Sequence, residues 1–184
     1  MELQRATAEN RLFEALEKEW GDQLGNYEAE SGEYDQPYMD HARKIMAESP
    51  SDPRYGIYIV LDTDSAVGTR FKGMVHVNHA WPNTPHATLR MVWIMLAPQF
   101  DFADVDPDEV GDIIAALLYG GVELCQADMR SVCLKMHLGN YVDRQFAVGL
   151  ARGLSHRASS LNAAVKGNWL HLENVTEGVK NERW

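Results

Sequence analysis

Cysteine is almost absent from this chain, with two in 184 residues. Cys125 and Cys133 sit inside apolar segments without a Cys-x-x-Cys spacing. That excludes a disulfide framework and a cysteine-based zinc site, and leaves buried free thiols in a reducing compartment as the expectation. Long apolar runs are missing too: none approaches the ~20 residues that span a bilayer. Met1-Glu2-Leu3-Gln4-Arg5 lacks the cationic start and apolar stretch of a secretory signal, so a cytoplasmic location is expected. Positive charge is in short supply, because 17 Lys and Arg against 27 Asp and Glu give a formal net charge of -10. Such a balance opposes the phosphate backbone of nucleic acid and the surface of an anionic membrane, and neither is expected as a partner. It would instead steer a positively charged small molecule toward the protein. No stretch is rich enough in Gly, Ser or Pro to form a linker and no repeat is present, so residues 1–184 are expected to form a single domain.

What is present is an alternation of helix and strand signals. A short strand at Leu3 to Ala6 precedes Thr7, which can cap a helix whose apolar stripe is Leu12, Phe13, Leu16 and Trp20, with Gly21 just past its end. Asp22 to Gln36 has neither helical nor strand periodicity and reads as an exposed acidic loop. A second helix is expected from Pro37 to Glu48, burying Tyr38, Ala42, Ile45 and Met46. Three strands follow at Gly56 to Leu61, Gly73 to Ala80 and Thr88 to Leu96, close enough in sequence to form a meander. The third is almost continuously apolar, as suits a central strand covered on both faces. Asp106-Pro107-Asp108-Glu109 is a strong helix start, followed by an apolar face of Val110, Ile113, Ile114, Leu117, Leu118 and Val122. The paired Gly120 and Gly121 should weaken that helix locally. A strand at Ser131 to Leu138, a helix capped by Asn140, and a last strand at Ala163 to Glu173 complete the order.

This order resembles the GCN5-related N-acetyltransferase (GNAT) superfamily over nearly the whole chain. The local likeness rests on the fourth strand ending in Leu96-Ala97-Pro98, the long helix from Asp106, and the joint Met136-His137-Leu138-Gly139-Asn140. The resemblance implies an α/β (α+β) fold of the acyl-CoA N-acyltransferase type: a mixed, mostly antiparallel central sheet flanked by helices. It also implies acetyl-CoA or another acyl-CoA as the cofactor. In that superfamily a bulge splays the fourth and fifth strands apart, and the pantetheine arm pairs with fourth-strand backbone in the opening. Carried to this chain, Trp93, Ile94, Met95 and Leu96 line the opening and Asn140 begins the helix beside it. The early helices and their connection border the acceptor site in that superfamily. Tyr27, Glu30, Glu33 and Tyr34 are therefore the expected binding residues for a small-molecule amine, with carboxylates to attract an ammonium and tyrosines to give cation–π contacts. A homodimer is compatible with such a fold.

The chain departs from the superfamily's pattern in three places. Its pyrophosphate loop is normally Gln/Arg-x-x-Gly-x-Gly/Ala. Here Gln99 to Glu109 contains no glycine, Pro107 removes a donor, and five carboxylates face any phosphate. The fourth strand offers no Glu as a proton acceptor among Met91 to Met95. The tyrosine that usually protonates the leaving thiolate, seven residues after the equivalent of Asn140, is replaced by Ala147. Tyr141 lies near in sequence but nearly two helical turns from that place. His76 on the third strand is the best replacement base, because an imidazole titrates near neutrality. No metal is expected: the seven histidines make no HExxH or compact His/Cys/carboxylate motif. Two functions follow, an acyl-CoA-dependent N-acyltransferase of a small amine, or a catalytically inactive GNAT-like domain that binds a ligand or protein.

Overall fold

The computed structural model describes residues 1–27, 34, 36–48, 51–102, 106–139, 141–157 and 162–176. The elements are β1 (Glu2–Arg5), α1 (Leu12–Asn26), α2 (Gln36–Glu48), β2 (Tyr55–Leu61), β3 (Phe71–Ala80), β4 (Thr88–Leu96), α3 (Gln99–Phe102), α4 (Pro107–Gln126), β5 (Cys133–His137), α5 (Tyr141–Arg157), β6 (Asn162–Lys166) and β7 (Trp169–Glu173). The strands follow the order β1-β2-β3-β4-β5-β7-β6. Antiparallel pairs join β1 to β2, β5 to β7 and β6 to β7, while β4 and β5 run parallel. The mixed, mostly antiparallel sheet flanked by helices that the resemblance implied is the architecture of the chain.

Contacts divide the chain into two compact units. The first comprises Met1–Asp52, Gly56–His76 and Ile94–Gly120, and the second Pro53–Tyr55, Val77–Trp93 and Gly121–Trp184. In the first, Phe13, Leu16, Trp20, Ile57, Ile59 and Met74 are buried. In the second, Leu89, Met91, Leu134, Met136, Leu170 and Leu172 are buried.

Three local expectations change. The α1 helix begins at Leu12, because Thr7 is used one turn earlier: its hydroxyl accepts from Asn10 N, while Asn10 Oδ1 accepts from Thr7 N and Leu12 N. That helix then runs through Gly21 to Asn26, six residues beyond the expected last residue Trp20, since its second half buries Glu19 and Gln23 alongside Trp20 and Leu24. In α2 the buried stripe is Met39, Ala42 and Ile45, while Tyr38 is 39% exposed and Met46 half-buried. Tyr38 shares the face of Ala42 and Ile45, within about 40° of helix rotation of each, but sits in the first turn of α2. The last strand is two strands, β6 and β7, joined by Gly167 and Asn168. Gly167 has φ 63, the positive angle that a two-residue hairpin with glycine in first place uses.

The glycine pair in α4 has a packing cause. A Cβ at Gly120 would lie 2.4 Å from Leu3 Cβ, within the first unit. One at Gly121 would lie 2.6 Å from the Met91 methyl, within the second. The helix comes closer to its neighbours at each position than any side chain allows.

Candidate functional site

The parallel register of β4 and β5 runs from Thr88↔Cys133 to Met91↔Met136. Val92 to Leu96 continue β4 beyond its last pair with β5. Of the four residues expected at a donor site there, Trp93, Ile94 and Leu96 are half-buried and Met95 is buried.

In the first unit, buried polar side chains fix the strand ends. Glu19 accepts from Phe71 N at 2.9 Å through Oε1 and from Gly68 N at 3.2 Å through Oε2. Gln23 Nε2 donates to Gly68 O at 2.8 Å, and its Oε1 accepts from Gln99 N at 3.3 Å. Trp20 Nε1 donates to Phe71 O at 2.9 Å. Tyr34, expected on an acceptor-binding loop, is buried: its hydroxyl donates to the Leu96 carbonyl and its ring stands edge-on to Trp20, centroids 6.1 Å apart. Composition gave no warning of Glu19 and Gln23, which only an inward stripe extended past Trp20 would have exposed.

The start of α4 is acidic and occupied. Asp106 Oδ1 accepts from Asp108 N at 3.0 Å, as an N-cap should. Glu109 Oε1 accepts from the buried ammonium of Lys72 at 2.9 Å. The helix dipole there is answered by the protein's own carboxylates. Residues 103–105 lie outside the described set.

His76 is half-buried on β3, its ring 5.2 Å from that of His41 on α2 and tilted by 55°. Tyr27 follows the last residue of α1 and is exposed, its backbone N–H closing the helix onto Gln23 O and Leu24 O. Tyr141 is the first residue of α5. The side chain of Tyr141 and the whole of Glu30, Glu33 and Asn140 lie outside the described residues. The structure therefore brings together Tyr34 and Leu96, and His76 with a residue the sequence did not single out, His41. Among the described residues no three His, Cys, Asp or Glu side chains converge as a metal site, and no helix is long and apolar enough to cross a membrane.

The second unit carries a separate concentration of ionisable groups. Lys135, Lys166, His171 and Glu173 line a groove of about 520 Å³ together with Trp81, Thr88 and Cys133. Lys166 Nζ donates to Glu173 Oε1 at 2.7 Å, which raises the lysine and lowers the carboxyl. His171 lies below its ordinary value through burial and the nearby charges of Lys135 and Lys166, opposed by Glu173. Burial pushes the Cys125 thiol up to about 12 and raises Cys133, so neither offers a thiolate near neutral pH. The signal for this cluster was the alternation of Lys135 with Leu134 and Met136, and of His171 with Leu170 and Leu172.

No family model matches the sequence, and no curated protein matches it. Among solved structures the chain is similar to an acetyltransferase from Thermus thermophilus at 13% identity, with 94% of this chain and 96% of that one covered and a TM-score of 0.42. It is also similar to a spermidine N-acetyltransferase chimera from Vibrio cholerae at 14% identity, with 94% and 93% covered and a TM-score of 0.45.

Proposed function

We propose that the chain is a single-domain, acyl-CoA-dependent N-acyltransferase acting on a small amine. The observation that supports this most is the run of β4 past its last pair with β5, in an order of elements like that of the GNAT superfamily. A strand backbone beyond its partner can take up an extended ligand through amide hydrogen bonds. Trp93, Ile94, Met95 and Leu96 are assigned to a pantetheine arm in this way, and Asn140 to the donor by the resemblance. The start of α4 does not fit a pyrophosphate: Asp106, Asp108 and Glu109 would repel it, and Asp106 already caps the helix. No step is assigned to the phosphates.

A bound thioester would supply the activated acyl group. On the protein's side, His76 accepts the proton that the amine loses as its nitrogen attacks, directly or through one water. Tyr141 is the candidate to return a proton to the leaving sulfur. Tyr27, Glu30 and Glu33 are assigned to the ammonium form of the acceptor. Tyr34 is assigned to position the end of β4 through the Leu96 carbonyl.

The second reading, a GNAT-like domain that binds without catalysis, is favoured by the acidic start of α4. A coupled assay of free thiol release from acetyl-CoA, with mono-, di- and polyamines as acceptors, separates the two. The transferase reading predicts turnover with at least one amine and a fall of roughly 100-fold or more in kcat for His76→Ala. No turnover across the panel supports the second.

A further inference from the structure

In the second unit, strand register sorts side chains onto two unlike faces. Arg90 pairs with Lys135, Lys135 with His171 and His171 with Ala164, so these residues form one row across β4, β5, β7 and β6. Thr88, Cys133, Glu173 and Asn162 form the next row on the same face. The intervening residues Leu89, Leu134 and Leu172 point the other way and are buried. A sheet with one covered face ordinarily turns polar groups to the other. Here the face that carries these two rows lines the groove of about 520 Å³, within the range of small-molecule sites.

The charges in and beside that groove do not cancel. Lys166 and Glu173 neutralise each other. Lys135 has no carboxylate partner among the described residues. Arg90 gives two hydrogen bonds, at 2.6 and 3.2 Å, to the neutral Asn78 Oδ1, and among the described residues it has no carboxylate partner either. Cys133 adds no negative charge, since burial keeps its thiol protonated. In a protein of net charge -10 this is a local reversal of sign. At the rim stands Trp81, 60% exposed, on a left-handed backbone with φ 51. A left-handed tryptophan is uncommon because its Cβ crowds the backbone. The Arg90 guanidinium carbon lies 6.0 Å from its ring centre. Val132 adds a second exposed apolar side chain to the lining.

We propose that this groove binds a small organic anion with a planar body, its anionic group against Lys135 and His171 and its planar part against Trp81 and Val132. The site goes beyond acyl transfer, which uses none of these residues. A carboxylate or a phosphate supplies the same recognition chemistry: an oxyanion taking hydrogen bonds from an ammonium and an imidazole. An amine is rejected by Lys135, and a neutral ring forfeits the charged contact.

Calorimetric titration of the full chain at moderate salt tests this with benzoate, phenyl phosphate, inorganic phosphate, benzylamine and benzyl alcohol. Saturable binding of benzoate or phenyl phosphate is expected, with no binding of benzylamine or benzyl alcohol, and the tighter of the two anions identifies the preferred oxyanion. Lys135→Gln should weaken that binding at least about tenfold, Lys135→Arg should largely retain it, and Trp81→Ala, at an exposed position, should weaken it several-fold. Circular dichroism of each variant confirms that the fold is intact. Failure of both aromatic anions to bind, or unchanged binding by Lys135→Gln, would overturn the proposal. Inorganic phosphate binding as tightly as phenyl phosphate would overturn the part given to Trp81.

Discussion

Lys72 and Glu109 join β3 to the first turn of α4: the lysine ammonium, its side chain only 5% exposed, donates at 2.9 Å to a carboxylate that is itself 38% exposed. The two partners differ in what their loss leaves behind. Glu109→Gln strands a buried cation and should cost about 1–3 kcal/mol, the lower end reflecting solvent at Glu109. Lys72→Met leaves a carboxylate that water can reach and should cost less. Urea unfolding of the two variants measures the difference, and an equal cost would contradict the asymmetry.

Glu19 satisfies two backbone donors, Gly68 N–H and Phe71 N–H. Glu19→Ala leaves both without an acceptor and should destabilise the protein by about 2–4 kcal/mol, while Glu19→Gln, which keeps one acceptor oxygen, should cost roughly half as much. Thermal or denaturant unfolding distinguishes the two.

Glycines inside helices respond in opposite directions. Gly21 lies within α1, and a Cβ there would meet nothing within 4 Å, so Gly21→Ala should stabilise by about 0.5–1 kcal/mol through helix propensity. Gly120→Ala gains the same propensity but drives a methyl into Leu3, and should destabilise by about 1–3 kcal/mol net. Both follow from unfolding midpoints.

These side chains mark what the sequence could and could not reveal. The strands β2, β3 and β4 and the start of α4 were legible because apolar periodicity and the Asp-Pro-Asp-Glu cap act locally. Glu19, Gln23 and Lys72 were not, since an isolated polar residue reads as solvent-facing until a distant backbone group is known to meet it. Gly120 and Gly121 read as helix weakeners because the atoms that need their space, on Leu3 and Met91, are far away in sequence. The β6–β7 hairpin was hidden by treating Gly167-Asn168 as part of a strand rather than as a two-residue turn. For the candidate site, β4 was legible as a strand, whereas its run past the β5 register depends on pairing across sequence. The groove on β5 and β7 was legible only as alternation, and its unbalanced charge only once register set Arg90, Lys135 and His171 in one row.

His171 gives the protein a pH dependence with a definite sign. Its folded pKa lies below the ordinary 6.5 through burial and the charges of Lys135 and Lys166, only partly offset by Glu173. As pH falls through 6.5 the unfolded chain takes up a proton that the folded chain resists, so this residue's contribution to stability declines until its folded pKa is reached. His171→Gln should flatten the fall in melting temperature as pH drops below about 6.5.

The proposed function turns on β4, past its last pair with β5, receiving an acyl-CoA although the usual phosphate loop is replaced by acids. Titration calorimetry of the purified chain with acetyl-CoA and with CoA at moderate salt tests it most directly. Saturable binding at about micromolar concentration, not weakened by added salt because salt screens the repulsion between the phosphates and the acidic helix start, is the predicted result. Absence of binding by both ligands would contradict it.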